Sequence, residues 1–186
     1  MKISQHGIDM IKEFEGCVLS AYYDSGGTLT IGYGHTADVY EGQHISLDEA
    51  EKYLRADLLT AETEVNAWAS HYHWDQNEFD AMVSFTYNCG SGCFRNLIKN
   101  GDRTKGQIAE AMLLYVSDGK DQLEGLKRRR ERERSLFLCP VDNDDSEDYQ
   151  TVNEIVDAIW AGKFGNDEER KEKLYEFFQN KVNERC

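Results

Sequence analysis

One short segment limits what this chain can fold into. Leu19 to Gly34 carries β-branched and aromatic residues on both sides of Ser25-Gly26-Gly27, which predicts a β-hairpin. The stretches around it read as helices. Ile8, Ile11 and Phe14 recur at helical spacing, with Gly16 as the stop. Ser46 and Glu49 form a capping box, followed by Leu47, Leu54, Leu58, Ala61, Val65 and Trp68, which predicts a long helix over 47–69. Asp75 with Glu78 opens another through Phe79, Met82, Val83 and Thr86, and further helices fit 107–116 and 123–138. One hairpin in a helical chain predicts an α+β fold: a small hairpin lobe joined by a long helix to a larger helical lobe, with a cleft between.

The only proline, Pro140, marks a change in composition. Residues 1–139 hold 22 acidic and 15 basic side chains, whereas residues 140–186 hold 13 and 6. Both parts are therefore net −7, and the short tail is about three times as charge-dense. A domain over 1–139, an acidic linker over 140–150 and a small all-helical module over 151–186 are expected. The module has two apolar faces, one on Val152, Ile155, Val156, Ile159 and Trp160, the other on Leu174, Phe177, Phe178 and Val182. A segment that short builds only a marginal core.

The formal charge of −14 argues against a nucleic-acid partner, because phosphate binding needs a basic surface. No apolar run approaches a membrane span, and the N-terminal residues lack the apolar stretch of a signal peptide. Synthesis in the cytoplasm is expected. The five cysteines are odd in number and scattered, which favours free thiols. Cys89 and Cys93 lack a second pair to complete a zinc site, so neither metal nor cofactor is expected.

Three residues can carry chemistry. Glu15 falls in the last turn of the first predicted helix, where the helix dipole disfavours negative charge and so favours a proton-donating carboxyl. Asp24 sits at the hairpin turn. If it pairs with Thr28 across a three-residue loop, period-two alternation puts Asp24 and Thr30 on one face. A carboxyl at a helix end and another on a facing hairpin suit glycoside hydrolysis, which needs two carboxyls flanking the bond. Each residue alone also has an ordinary use, as a solvated helix end, a turn former and a strand residue.

The whole string from Glu15 to Thr36 resembles the active-site segment of the phage-type lysozymes. The matching features are Glu15-Gly16, Ala21-Tyr22, Asp24, Gly27, Thr30-Ile31-Gly32 and Gly34-His35. Ser84 to Gly90 resembles a second family segment. Gly125 to Arg130, with Glu133 to Phe137, resembles a third. The likeness covers residues 1–139 and departs after Phe94, where the chain is a few residues short near Asn96.

That resemblance implies a lysozyme-like fold and cleavage of bacterial peptidoglycan between N-acetylmuramic acid and N-acetylglucosamine by an endolysin. It implies Glu15 as general acid, Asp24 as the residue that positions or activates water, Thr30 as its holder and Asn88 as a substrate contact. Arg129 would pair with Glu15 and orient it. An arginine there opposes the helix dipole, so its contact is expected to weaken once substrate is bound. His35 is expected to tie the hairpin to a carboxylate rather than act as a base. The Lys127–Arg134 run, broken by Glu131 and Glu133, reads as a mixed-charge helix face with one functional arginine. Trp68 and Trp74 are assigned to packing rather than to sugar stacking.

The tail from Ile159 to Asn183 resembles a short helical wall-binding repeat of phage lysins, with Phe164 where that repeat carries tryptophan. A monomer that acts on the wall after release from the host cytoplasm is implied. Two rival functions are a non-catalytic wall-binding or structural protein and a lytic transglycosylase. The first is disfavoured by the trio Glu15, Asp24 and Thr30, the second by Asp24.

Overall fold

The computed structural model describes residues 1–24, 26–117 and 124–141, and the expected linker beyond its first two residues, with the whole tail module, lies outside the described residues. Met1–Val141 is one compact unit. Helix α1 spans Gln5–Glu15 and is capped by Ser4, whose hydroxyl accepts from the Gly7 N–H at 3.2 Å. Gly16 ends it at φ +66°, a left-handed backbone that favours glycine. The chain then turns straight into strand β1, Val18–Tyr23, so Glu15 is left at the helix end beside the hairpin.

Strand β2, Leu29–Gly32, pairs antiparallel with β1, with Tyr22 opposite Thr30 and Tyr23 opposite Leu29. The Asp24 N–H donates to the Thr28 carbonyl at 2.9 Å, which closes the expected three-residue loop. Asp24 and Thr30 therefore share a face. A further segment, absent from the sequence expectation, widens this lobe. The Ala21 N–H donates to the Gln43 carbonyl and the Ile45 N–H to that of Leu19, at 2.9 and 3.0 Å.

Helix α2, Leu47–Asn66, leads from the hairpin lobe to the helical lobe. Its Ser46–Glu49 capping box is formed, with the Glu49 N–H 3.2 Å from Ser46 Oγ. Leu54, Leu58, Ala61 and Val65 are buried as expected, but Leu47 is 59% exposed. It is the first residue after the cap and projects beyond the core. A single turn, α3 (Ala69–Tyr72), leads to α4, Gln76–Ile98, opened by the Asp75–Glu78 capping box. Helix α4 is broken within by Gly90, at φ +81° and ψ +161°. Helix α5, Lys105–Met112, is shorter than expected and starts at a Thr104–Gln107 box; α6 spans Glu124–Leu138.

Ile8 and Ile11 of α1 join the apolar faces of α2, α4 and α5 in one core, which Phe137 of α6 completes. Trp74 is buried, with its ring stacked on Tyr72 at 4.3 Å, and Trp68 packs at the core's edge. Both serve packing. The arrangement is α+β, with a two-stranded sheet against a helical lobe. Among the described residues no helix is long and apolar enough to cross a membrane. Cys17, Cys89, Cys93 and Cys139 are free thiols.

Candidate active site

Glu15 is fixed from across the fold. Arg129 Nη1 of α6 donates to its Oε1 at 2.6 Å, and the Glu15 side chain keeps 24% of its exposure. Arg129 is itself held on all sides. Its Nε donates to Glu133 Oε1 at 3.1 Å and its Nη2 to the Ser84 carbonyl at 3.3 Å. Its guanidinium lies 5.0 Å from the centre of the Phe14 ring. A guanidinium with its donors engaged cannot swing away without losing several charge-assisted bonds, so the carboxyl's position is set by a rigid partner, which opposes the weakening of this contact expected on substrate binding.

Behind this pair lies a second layer of buried charge. Glu133 is fully buried and accepts from Ser84 Oγ at 2.7 Å. Burial pushes its carboxyl up, against the downward pull of the Arg130 and Arg129 guanidinia. Arg130 is also fully buried and donates through Nη2 to Asn88 Oδ1 at 2.8 Å. The mixed-charge face expected of α6 is in part buried. Arg129, Arg130 and Glu133 face inward, and mutual pairing is what makes their burial tolerable.

Glu15 and Asn88 line two cavities at once. One, of about 600 Å³, is bounded by α1 and α6 through Phe14, Leu126, Arg128, Arg129 and Arg132. The other, of about 320 Å³, is bounded by Gly34, Thr36, Ala37, Asp57 and Tyr87. The structure therefore gathers Glu15, Asn88 and Arg129 in one cleft. Asp24 and Thr30 line neither cavity. Asp24 Oδ1 accepts from the N–H groups of Gly26 and Thr28 at 2.9 and 2.7 Å, and among the described residues no bond of the turn engages Oδ2. The Thr30 hydroxyl is nearly buried and donates to the Thr28 carbonyl at 3.0 Å, so its lone pairs are what it can offer a water.

His35 meets a carboxylate of α2. Its Nδ1 lies 3.0 and 2.9 Å from the two Asp57 carboxylate oxygens, and its ring stacks on Tyr53 at 4.4 Å. Asp57 and Tyr87, given no role from the sequence, also line the cleft. Burial, reinforced by the charges of Glu15 and Asp57, pushes the Tyr87 phenol well above its ordinary range. It therefore stays a donor, bonded to the Tyr33 carbonyl at 3.1 Å. Among the described residues no group of three or more His, Cys, Asp or Glu is placed to hold a metal ion.

Known proteins match this chain in the same region. The family model described as phage lysozyme matches residues 12–133. The endolysin of Bacillus phage PZA is 43% identical over 144 residues, 74% of this chain but 55% of that protein. The chain thus spans about half the length of that relative. Among solved structures, the endolysin from Escherichia coli O157:H7 phage FAHEc1 is 40% identical with a TM-score of 0.65, over 76% of this chain and 96% of that one. The muramidase domain of SpmX from Asticaccaulis excentricus is 36% identical with a TM-score of 0.66, over 75% and 99%.

Proposed function

The chain belongs to the phage lysozyme family, and from that premise we propose that it is an endolysin. It hydrolyses the β-1,4 bond between N-acetylmuramic acid and N-acetylglucosamine in bacterial peptidoglycan. The observation that carries this reading is the Glu15 carboxyl, shared by two cavities and gripped through one oxygen by a buried arginine. With Oε1 taken by Arg129, Oε2 is the oxygen that carries the proton to the glycosidic oxygen as the bond breaks.

Asp24, on the hairpin face that it shares with Thr30, takes the proton of the attacking water, and the Thr30 lone pairs accept from that water. Attack from the face opposite the leaving group inverts the anomeric centre. That geometry needs carboxyls about 6.5–9.5 Å apart. Asn88 binds substrate in the cleft, and His35 acts on the hairpin through Asp57 rather than on the sugar. Residues 151–186 bind the wall and residues 140–150 tether them. The enzyme reaches its substrate after release from the host cytoplasm.

Glu15→Gln tests the assignment. It keeps the side chain's shape and removes the transferable proton, so release of reducing sugar from peptidoglycan should fall by at least about 10²-fold while the melting temperature holds. A folded variant with wild-type turnover would remove Glu15 from the chemistry.

A further inference from the structure

Arg130 takes no part in the reaction described above, yet it is the bulkiest fully buried side chain among the described residues. Its guanidinium lies over the Phe85 ring at 4.9 Å. Nε sits 2.8 Å from Glu133 Oε2, as an ion pair rather than a hydrogen bond, and Nη2 donates to Glu133 Oε1 at 3.1 Å. The remaining bonds reach helix α4. Nη1 donates to Cys89 Sγ at 2.6 Å, and Nη2 donates to Asn88 Oδ1 at 2.8 Å.

Packing alone does not call for an arginine here, since an apolar chain fills such a space without the cost of burying charge. The chemistry of the Asn88 contact does call for one. A guanidinium only donates. The Asn88 group that meets it must be the carbonyl oxygen, and the NH₂ end is turned elsewhere. Asn88 stands two residues before the Gly90 break and lines both cavities beside Glu15. Its Nδ2 makes no hydrogen bond among the described residues. An unrestrained amide would present either end to a ligand. A pinned one presents donors only.

We propose that Arg130 is a positioning residue, which locks the Asn88 carboxamide so that the cleft meets its N–H donors. The partner it selects is a hydrogen-bond acceptor on the glycan, such as the acetamido carbonyl of an amino sugar. This rests on the reading of Asn88 as a substrate contact. Arg130 then acts on sugar recognition through one fixed torsion, with no contact to the sugar itself.

A double-mutant cycle tests it, with kcat/KM measured on soluble glycan fragments by the full chain and melting temperatures taken for each variant. Arg130→Lys keeps the charge beside Glu133, but its point-like ammonium cannot span both Glu133 and Asn88. Asn88→Ala should lower kcat/KM roughly tenfold, the effect of one lost hydrogen bond with part of its desolvation cost. Arg130→Lys should lose nearly as much, and the double variant should be no worse than Asn88→Ala alone. Losses that multiply would show that Arg130 merely supports the fold, and would overturn the proposal. A wild-type Asn88→Ala would remove the substrate contact and the proposal with it, while leaving hydrolysis by Glu15 untouched. Should Arg130→Lys fail to fold, Asn88→Asp decides. It keeps an oxygen for Arg130 and loses both N–H donors, so it should fall with Asn88→Ala. Full activity in Asn88→Asp would contradict donor selection.

Discussion

Arg129 and Glu15, 114 residues apart in the chain, meet at 2.6 Å. That contact joins the end of α1 to α6 across the cleft, and the rest of α6's buried charge is arranged to keep it there. Arg129→Met keeps most of the bulk and removes the clamp. It should lower kcat/KM by about 10²-fold, the size expected for a catalytic group misplaced by about 1 Å. It should also lower stability by about 3 kcal/mol, because Glu133 loses one of its two cations. Steady-state kinetics and chemical denaturation measure the two separately. Unchanged activity in a destabilised variant would leave Arg129 with a structural role only.

Asp24 and Thr30 present a sharper case, since they lie on the hairpin rather than in the cavities that hold Glu15. Asp24→Asn preserves an oxygen for the Gly26 and Thr28 N–H groups, so the turn should survive. Loss of the base should still lower kcat by about 10²-fold or more. The first-formed product of the wild-type enzyme, read by NMR before mutarotation, should be the α anomer. A β anomer would contradict attack by a held water.

Much of this was legible in the sequence where the cause is local. The capping residues Ser46 and Asp75 fix helix starts through side chains three residues apart, and both helices begin there. Asp24 and Thr28 set the hairpin register through loop length alone. What was hidden is set by partners far along the chain. Arg130 and Glu133 read only as members of a mixed-charge helix face, and their burial rests on partners such as Asn88 and Ser84 of α4. Asp57 lines the cleft from α2 and meets His35 of the hairpin side, a pairing across 22 residues of chain. The pairing of residues 43–45 with β1 carries no local signature, and the Gly90 break leaves no trace in the apolar period of α4.

The tail gives a prediction of a different kind. Chain ending at Pro140 retains the contact from Asn77 Nδ2 to the Cys139 carbonyl at 3.0 Å and keeps nearly all of the Met1–Val141 unit. It should fold, and act on soluble glycan fragments within about twofold of the full chain. On whole walls it should be slower by roughly 10²-fold, because a tethered binder raises the effective substrate concentration without altering the chemistry. Equal clearance of whole walls by the two forms would remove the binding role from residues 151–186.

The most direct test is the end group that the enzyme leaves. Purified peptidoglycan digested with the full chain, and in parallel with Glu15→Gln, should be analysed by mass spectrometry. Water as the attacking group requires fragments ending in a reducing N-acetylmuramic acid from the wild type, and almost none from the variant. Anhydro-muramic ends would contradict hydrolysis and point to a transglycosylase that uses Glu15 alone. No fragments from the folded wild-type protein would mean that this cleft binds wall glycan without cutting it.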